Sequence, residues 1–245
     1  ARARAHWGWG SPLFNQMGRH KGVLMRSLLA MGVHLLLCDV DTVWLRDPLP
    51  YFARYPDADL LISNDILRPS RIGDGSRPDE PVAAADGGLE HPTWDVGHVP
   101  FSNLLLLRCN IGVMLLRPSV PMRLFVEEYM NVLTTQKGGW DQSHFNDLLR
   151  RGLRLANSAH AAVDAHGPGR HVHEWPRDLT GLTLPLTHAD RTVQLHCGQL
   201  RTGVLPTPAF AHGHGYFVSR LHEQHSVAPF VVHNTYQYHG SLGKR

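Results

Sequence analysis

At 245 residues, 42% of them hydrophobic, the chain can build one large α/β core, and it has no apolar run of the roughly 18 residues a membrane helix needs. A net charge of +3 without a dense Lys/Arg block suits an anionic small molecule and argues against nucleic acid. Three cysteines exclude a disulfide framework, and eighteen histidines scattered without His-Glu-x-x-His or Cys-x-x-Cys spacing argue against a zinc module.

The first predicted element is a helix over Asn15 to Met31, with Met17, Leu24, Leu28 and Met31 as its apolar face and Gly32 as its stop. A strand from His34 to Val40 follows, continuous in apolar residues as a strand buried on both faces should be. Cys38 within it reads as a small buried hydrophobe, and a Cys109–Cys197 bridge is left open. "PLPYFARYPDAD" is a helical turn, and "ADLLIS", Ala58 to Ser63, is a second buried strand. A Pro/Gly/Asp/Arg-rich stretch at about 68–98 reads as a loop-like insertion. "FSNLLLLRCNIGVMLLRPS" holds one or two strands around Cys109 and Asn110. "VPMRLFVEEYMNVLTTQ" is a helix with Leu124, Phe125, Tyr129 and Leu133 toward the core. "WDQSHFNDLLRRG" is another, with Asp141 near its start and Gly152 as its C-cap. Trp44 and Trp140 read as core residues. A second loop-like insertion spans about 157–190, and short strands follow in "TVQLHC", "GVLPTPAF" and "PFVVHN". Length favours a single domain over 1–245, and strands alternating with helices predict a mainly parallel open sheet. Such sheets bind ligands beyond the carboxyl ends of their strands.

Asp39 and Asp41 sit at that end of the first strand, in "LLLCDVDTVWLRDP". In extended backbone, residues two apart share one side, so both carboxylates can face one target. They repel each other unless a cation or hydrogen-bond donors lie between them. A divalent ion meets this need, since carboxylate oxygens suit Mn²⁺ or Mg²⁺ shared with substrate phosphates. A strand-end turn with two solvated aspartates satisfies the same two residues.

The surrounding blocks extend the pattern: "WGSPLFNQMGRHK", "LLLCDVDTVWLRDPLPYFARYPDADLLIS", "NIGVMLLRP", "WDQSHFNDLLRR", "GVLPTPAF", "GHGYFV" and "VVHNTYQYHGSLGKR". In this order they resemble the nucleotide-diphospho-sugar transferase family that holds the plant extensin arabinosyltransferases and the rhamnogalacturonan-II xylosyltransferases (glycosyltransferase family 77). The arabinosyltransferase branch is the nearer likeness, through "WGSP", "MGR" with the lysine two residues on, and the closing "GKR".

The resemblance implies a GT-A type fold, a Rossmann-like open mixed sheet flanked by helices. It also implies a Golgi-lumenal, type II membrane enzyme whose anchor lies outside this chain. The expected reaction moves a pentose, arabinofuranose first, from a UDP-sugar to a glycan or hydroxyproline-rich glycoprotein, with retention and with Mn²⁺ (or Mg²⁺). Asp41 is the expected direct metal ligand, Asp39 contacts the ribose and the metal shell, and His233 completes the site; His239 does not match a usual histidine position. Lys21 and Lys244 are the expected cations beside the donor, and Asn110 the expected contact of the donor sugar. Asp141 and Gln142 fall under the sugar's reactive face, where a nucleophile and same-face attack both fit. His214 and Tyr216 fall on the acceptor side. Each has a plainer reading: a solvated helix lysine for Lys21, a turn residue for Asn110, an N-cap for Asp141. The family carries a strand and helix ahead of "WGSP", so the resemblance implies an N-terminally incomplete domain whose sheet lacks its first strand. A non-catalytic glycan-binding or scaffold relative, and a histidine-rich metal-binding module, are the competing readings.

Overall fold

The computed structural model describes residues 12–65, 109–136, 140–151, 186–187 and 192–235. In chain order these form α1 (Pro12–Ala30), β1 (Leu35–Cys38), β2 (Thr42–Trp44), α2 (Leu49–Phe52), β3 (Leu60–Asn64), β4 (Cys109–Leu116), α3 (Val120–Thr135) and α4 (Asp141–Leu149). Then come β5 (Leu186–Thr187), β6 (Thr192–Leu195), β7 (Leu200–Val204), β8 (Phe210–His212), a π-helical turn (His214–Val218), α5 (Leu221–Gln224) and β9 (Val231–His233). None of the described helices is long and apolar enough to cross a membrane.

The strands make a six-stranded sheet, β1-β4-β3-β7-β6-β5, and a three-stranded one, β2-β9-β8. The flanked, mixed sheet agrees with the expected fold class. The expectation of mainly parallel strands is corrected: within the large sheet only β3 and β7 run parallel. The alternation of strand and helix misled because β2 leaves for the second sheet, and β6 and β7 join as a hairpin rather than through a helix. Leu186–Thr187, inside the stretch read as loop, pairs with β6. The rest of that stretch, the 68–98 insertion, Gly152, His239 and Lys244 lie outside the described residues.

The large sheet is covered on both faces. Leu60 and Ile62 of β3 join Met25 and Leu29 of α1, Phe125 and Tyr129 of α3, and Phe145 of α4 in one core. Leu61 points the other way, into a second core with Tyr51, Phe52, Phe210 and Phe230. In β4 the alternation breaks. Cys109 and Ile111 face the first core, and so do Met114 and Leu116, which lie an odd number of residues further on. The change of phase falls where the β3–β4 register shifts between Ile62 and Ser63, placing a bulge in β4 around Gly112. Bulges of this kind re-aim side chains and gather beside functional sites.

Helix α3 starts where Ser119 Oγ accepts the Met122 N–H at 3.2 Å. Its buried face is Met122, Phe125, Val126, Tyr129, Met130 and Leu133. Leu124, expected inside, is 61% exposed because it lies one residue off that stripe. Helix α1 departs further from expectation. Its buried face is Gly18, Gly22, Met25 and Leu29, while Met17 and Met31 are exposed and Leu24 is half-exposed. Gly18 and Gly22 admit Asp141 of α4 and Met130 of α3 against the helix backbone, and glycine adds nothing to a hydrophobic stripe. Trp140 is also exposed, because it is the residue before α4 rather than part of its packed face. Trp44 packs against the second core. All three cysteines are free, and Cys38 is exposed because among the described residues β1 is an edge strand, half-buried and paired only with β4.

Phe145 is fully buried and stands edge-on to Phe125 and Tyr129, with centroids 4.9 and 5.2 Å away. Phe145→Ala is expected to lower unfolding free energy by about 3–5 kcal/mol, whereas Leu124→Ala should stay within about 0.5 kcal/mol of wild type. Urea denaturation of both variants checks the contrast, and equal losses would contradict this assignment of the α3 face.

Candidate active site

Strand β1 ends at Cys38, and the chain turns at once. The Asp39 N–H donates to the Gly112 carbonyl at 2.8 Å, and the Asp39 carbonyl accepts from both Thr42 N (3.2 Å) and Thr42 Oγ1 (2.8 Å). Asp39 and Asp41 therefore lie on a tight turn, with Val40 fully exposed between them. The expected extended geometry is corrected: the turn, not strand alternation, brings the carboxylates to one side. Asn234 fixes the second aspartate, donating its backbone N–H and its Nδ2 to the Asp41 carbonyl, each at 3.0 Å.

The register of β2 on β9 sets Thr42 opposite His233. His233 Nε2 lies 3.5 Å from Asp39 Oδ2 and 3.3 Å from Asp41 Oδ1. One atom from each of the three residues falls within 4.8 Å of the others. Two hard carboxylate oxygens and an imidazole nitrogen form a donor set that could hold a divalent metal ion. The His233 ring reaches this place only because residue 112 has no side chain. A Cβ on Gly112 would stand 2.6 Å from Nδ1 and 2.7 Å from Nε2. The β4 bulge thus carries the one residue type that lets the small sheet press its histidine against the large one.

Burial disfavours the charged form of both groups, yet each is held charged by the other. For Asp39, hydrogen bonds from His233 and Lys21 outweigh desolvation and bring its pKa down to about 2. For His233, hydrogen bonds to Asp39 and Asp41 outweigh desolvation and raise it to about 9. Lys21 reaches from α1 to Asp39 Oδ1 at 2.7 Å and to the Ile111 carbonyl at 2.8 Å. This is more than a solvated helix lysine: two of its three ammonium hydrogens are used within the protein.

Helix α4 presents the next two expected residues. Asn146 pins the helix to β4, accepting the Cys109 N–H at 2.8 Å and donating to the Cys109 and Gln142 carbonyls, both at 2.8 Å. Asp141 is the first helical residue rather than the cap, and its Oδ1 accepts the Gln142 N–H at 2.8 Å. Its carboxyl lies against Gly18, where a Cβ would stand 2.7 Å from the Asp141 Cβ. Burial raises the Asp141 pKa, with a further push from Asp39 and a partial offset by Lys21 and the Gln142 N–H. Gln142 Oε1 faces the Ile111 N–H at 3.4 Å, and Asn110 Oδ1 accepts the Gly112 N–H at 2.7 Å. Asp65, which sequence reasoning missed, takes the other end of both amides: Asn110 Nδ2 at 2.6 Å and Gln142 Nε2 at 2.8 Å. The available signal was a carboxylate one residue past a strand, as Asp39 also is.

Lys21, Asp39, Asp41, Asn110, Asp141, Gln142 and His233 are thus brought to one region. His214 and Tyr216 lie on the π-helical turn that follows β8, the strand beside β9. His214 Nδ1 and Ser219 Oγ are 3.1 Å apart, and the Tyr216 ring stacks on His222 at 4.3 Å. Lys244 is outside the described residues.

The sign of the pH dependence follows from these pairs. His233, with a pKa raised from 6.5 to about 9, stabilises the metal-free fold fully below pH 6.5 and loses that contribution as pH rises through 9. Asp39, lowered from 3.8 to about 2, contributes above pH 3.8 and loses its share as pH falls through 2. Metal-free wild type is therefore expected to exceed His233→Gln in stability at pH 6, with the margin shrinking between pH 6.5 and 9. Urea midpoints across this range test it, and a margin that grows with pH would contradict the ion pairing.

The family model for nucleotide-diphospho-sugar transferases matches residues 2–245. Over 238 residues the chain is 34% identical to arabinosyltransferase XEG113 of Arabidopsis thaliana, covering 97% of this chain and 29% of that protein. It is 28% identical over 126 residues to arabinosyltransferase RRA1 of Arabidopsis thaliana, covering 51% of this chain and 28% of that protein. It is 32% identical over 87 residues to beta-arabinofuranosyltransferase RAY1 of Arabidopsis thaliana, covering 31% of this chain and 16% of that protein. The chain therefore spans less than a third of the length of these relatives. No solved structure matches. With the match running over nearly the whole chain, the protein belongs to the nucleotide-diphospho-sugar transferase family.

Proposed function

We propose that this chain is a catalytic domain, a retaining, Mn²⁺-dependent glycosyltransferase that moves arabinofuranose from a UDP-sugar to a cell-wall glycan. The observation that carries the reading is the meeting of Asp39, Asp41 and His233 at the end of β1, beside Lys21, in a chain of this family. The likeness to arabinosyltransferases supports the choice of pentose. The acceptor in this reading is a hydroxyproline-rich glycoprotein or polysaccharide glycan, and the compartment is the Golgi lumen.

Asp39, Asp41 and His233 would hold the cation, which when bound supplies Lewis-acid stabilisation of the charge on the departing diphosphate. Lys21 fixes Asp39 Oδ1 and leaves Oδ2 turned toward His233. Asn110 and Gln142 orient the sugar through their amides. Asp141, carboxyl held against the backbone of α1, supports the positive charge that grows on the anomeric carbon.

UDP release from UDP-arabinofuranose with Mn²⁺ tests the reading. Asp41→Ala is expected to lower kcat/KM by about 100-fold or more. Unchanged turnover would sink the metal assignment, and no turnover by the full-length wild type would favour a non-catalytic relative. Gly112→Ala gives a second test, because a methyl there must push the His233 ring away. Its Mn²⁺ dissociation constant, read by electron paramagnetic resonance, is expected to rise by about tenfold or more. Wild-type affinity in this variant would remove His233 from the ligand set.

A further inference from the structure

We infer that Asp65 is a positioning residue whose carboxylate turns the Asn110 and Gln142 side-chain amides so that both offer N–H donors to the sugar of the donor substrate. The inference rests on the transferase reading above and adds to it a residue that no sequence block marks.

The argument begins at the far ends of the two amides. Asn110 Oδ1 is taken by the Gly112 N–H at 2.7 Å, and Gln142 Oε1 by the Ile111 N–H at 3.4 Å. Their nitrogens then face Asp65, one on each carboxylate oxygen, at 2.6 and 2.8 Å. Reversing either amide would set its oxygen against a carboxylate oxygen and its NH₂ against a backbone N–H. Both contacts would be repulsive, so the orientation of each amide is determined at both ends. An NH₂ group has two hydrogens, and Asp65 takes one from each. In the proposed arrangement the second of each pair is the one offered to the donor, and what it would meet is an acceptor: a hydroxyl lone pair or ring oxygen of a sugar.

The carboxylate is itself firmly placed. Asn64, the residue before it, is buried, donating Nδ2 to the Leu205 carbonyl at 2.9 Å and accepting from Thr207 Oγ1 at 3.1 Å. Ser63 Oγ donates to the Asn110 carbonyl at 2.9 Å, which ties the end of β3 to β4. Asp65 thus links three elements, β3, β4 and α4, at the point where Asn110 and Gln142 meet. The charge-assisted bonds it makes are stronger and shorter than neutral ones, which suits fixing flexible amides.

The test is Asp65→Asn, nearly isosteric, which puts an NH₂ against one of the two amide nitrogens. Full-length protein is assayed with UDP-arabinofuranose and Mn²⁺, and binding of UDP and of the UDP-sugar is measured by calorimetry. The expected result is a fall in kcat of about 30-fold or more, with UDP and Mn²⁺ affinities within about twofold of wild type. The affinity advantage of UDP-sugar over UDP should be lost. Adding Asp65→Asn to the Asn110→Ala, Gln142→Ala double variant should change kcat by less than about twofold, since the groups it orients are gone. Wild-type kcat, a parallel loss of UDP affinity, or full additivity would each overturn the proposal. If Asp65→Asn does not fold, Asp65→Ser carries the same expectations. If wild type turns over no donor, the transferase reading fails, and the clamp is judged by the side-chain amide signals of Asn110 and Gln142 in nitrogen-15 spectra. Signals unmoved by Asp65→Asn overturn it there too, and displaced signals retain it.

Discussion

The His233 ring occupies the space where a side chain at residue 112 would be, and the rest of the site depends on that close approach. It joins two sheets that share no strand. β9 brings the histidine, the bulge in β4 makes room for it, and the turn after β1 delivers two carboxylates to its Nε2. No single element could build this arrangement. The bulge at the same time leaves the Ile111 carbonyl for Lys21 and the Gly112 carbonyl for the Asp39 N–H. One irregularity of backbone therefore serves three residues of the site: His233, Lys21 and Asp39.

Asp39 divides its carboxylate between two cations of different kinds. Oδ1 faces a lysine on a helix, and Oδ2 faces an imidazole on the other sheet. Burial alone would raise its pKa, and these partners outweigh it and keep the carboxylate ionised. Asp141, for which burial outweighs the help of Lys21 and the Gln142 N–H, shifts in the opposite direction. Two carboxylates of one region thus have different proton affinities, set by their different neighbours. The same helix supplies both constraints: α1 carries Lys21 toward Asp39 and, one turn earlier, Gly18 toward Asp141.

Much of this site is legible in sequence because its chemistry is carried by side chains in short blocks. Asp39 and Asp41, Asn110, Asp141 and Gln142, and His233 all stand in such blocks, and their residue types announce charge or hydrogen bonding. The parts that escaped are backbone and absence. Gly18 and Gly112 act by lacking a Cβ, and a hydrophobic pattern does not register a missing group. That is why the apolar pattern of α1 points to a face with Met17 and Leu24, which the structure exposes. The direction of strand pairing escaped because it depends on which sheet β2 joins, a long-range choice. Asp65 escaped because it borders a segment of low apolar content, where carboxylates are common and carry little information. Its partners are 45 and 77 residues away in sequence.

The bulge in β4 has a consequence for how this chain can change over generations. The side-chain phase of the strand turns over near Gly112, so Ile111 and Met114 reach the same core. Deleting or inserting one residue there would send the apolar residues on one side of the change to the wrong face of the sheet. The same event would carry Asn110 or the His233 recess out of line. Length variation in this strand would therefore disturb a core and a site in a single step. Substitution within a constant length is the path left open, and at residue 112 even that path is narrow.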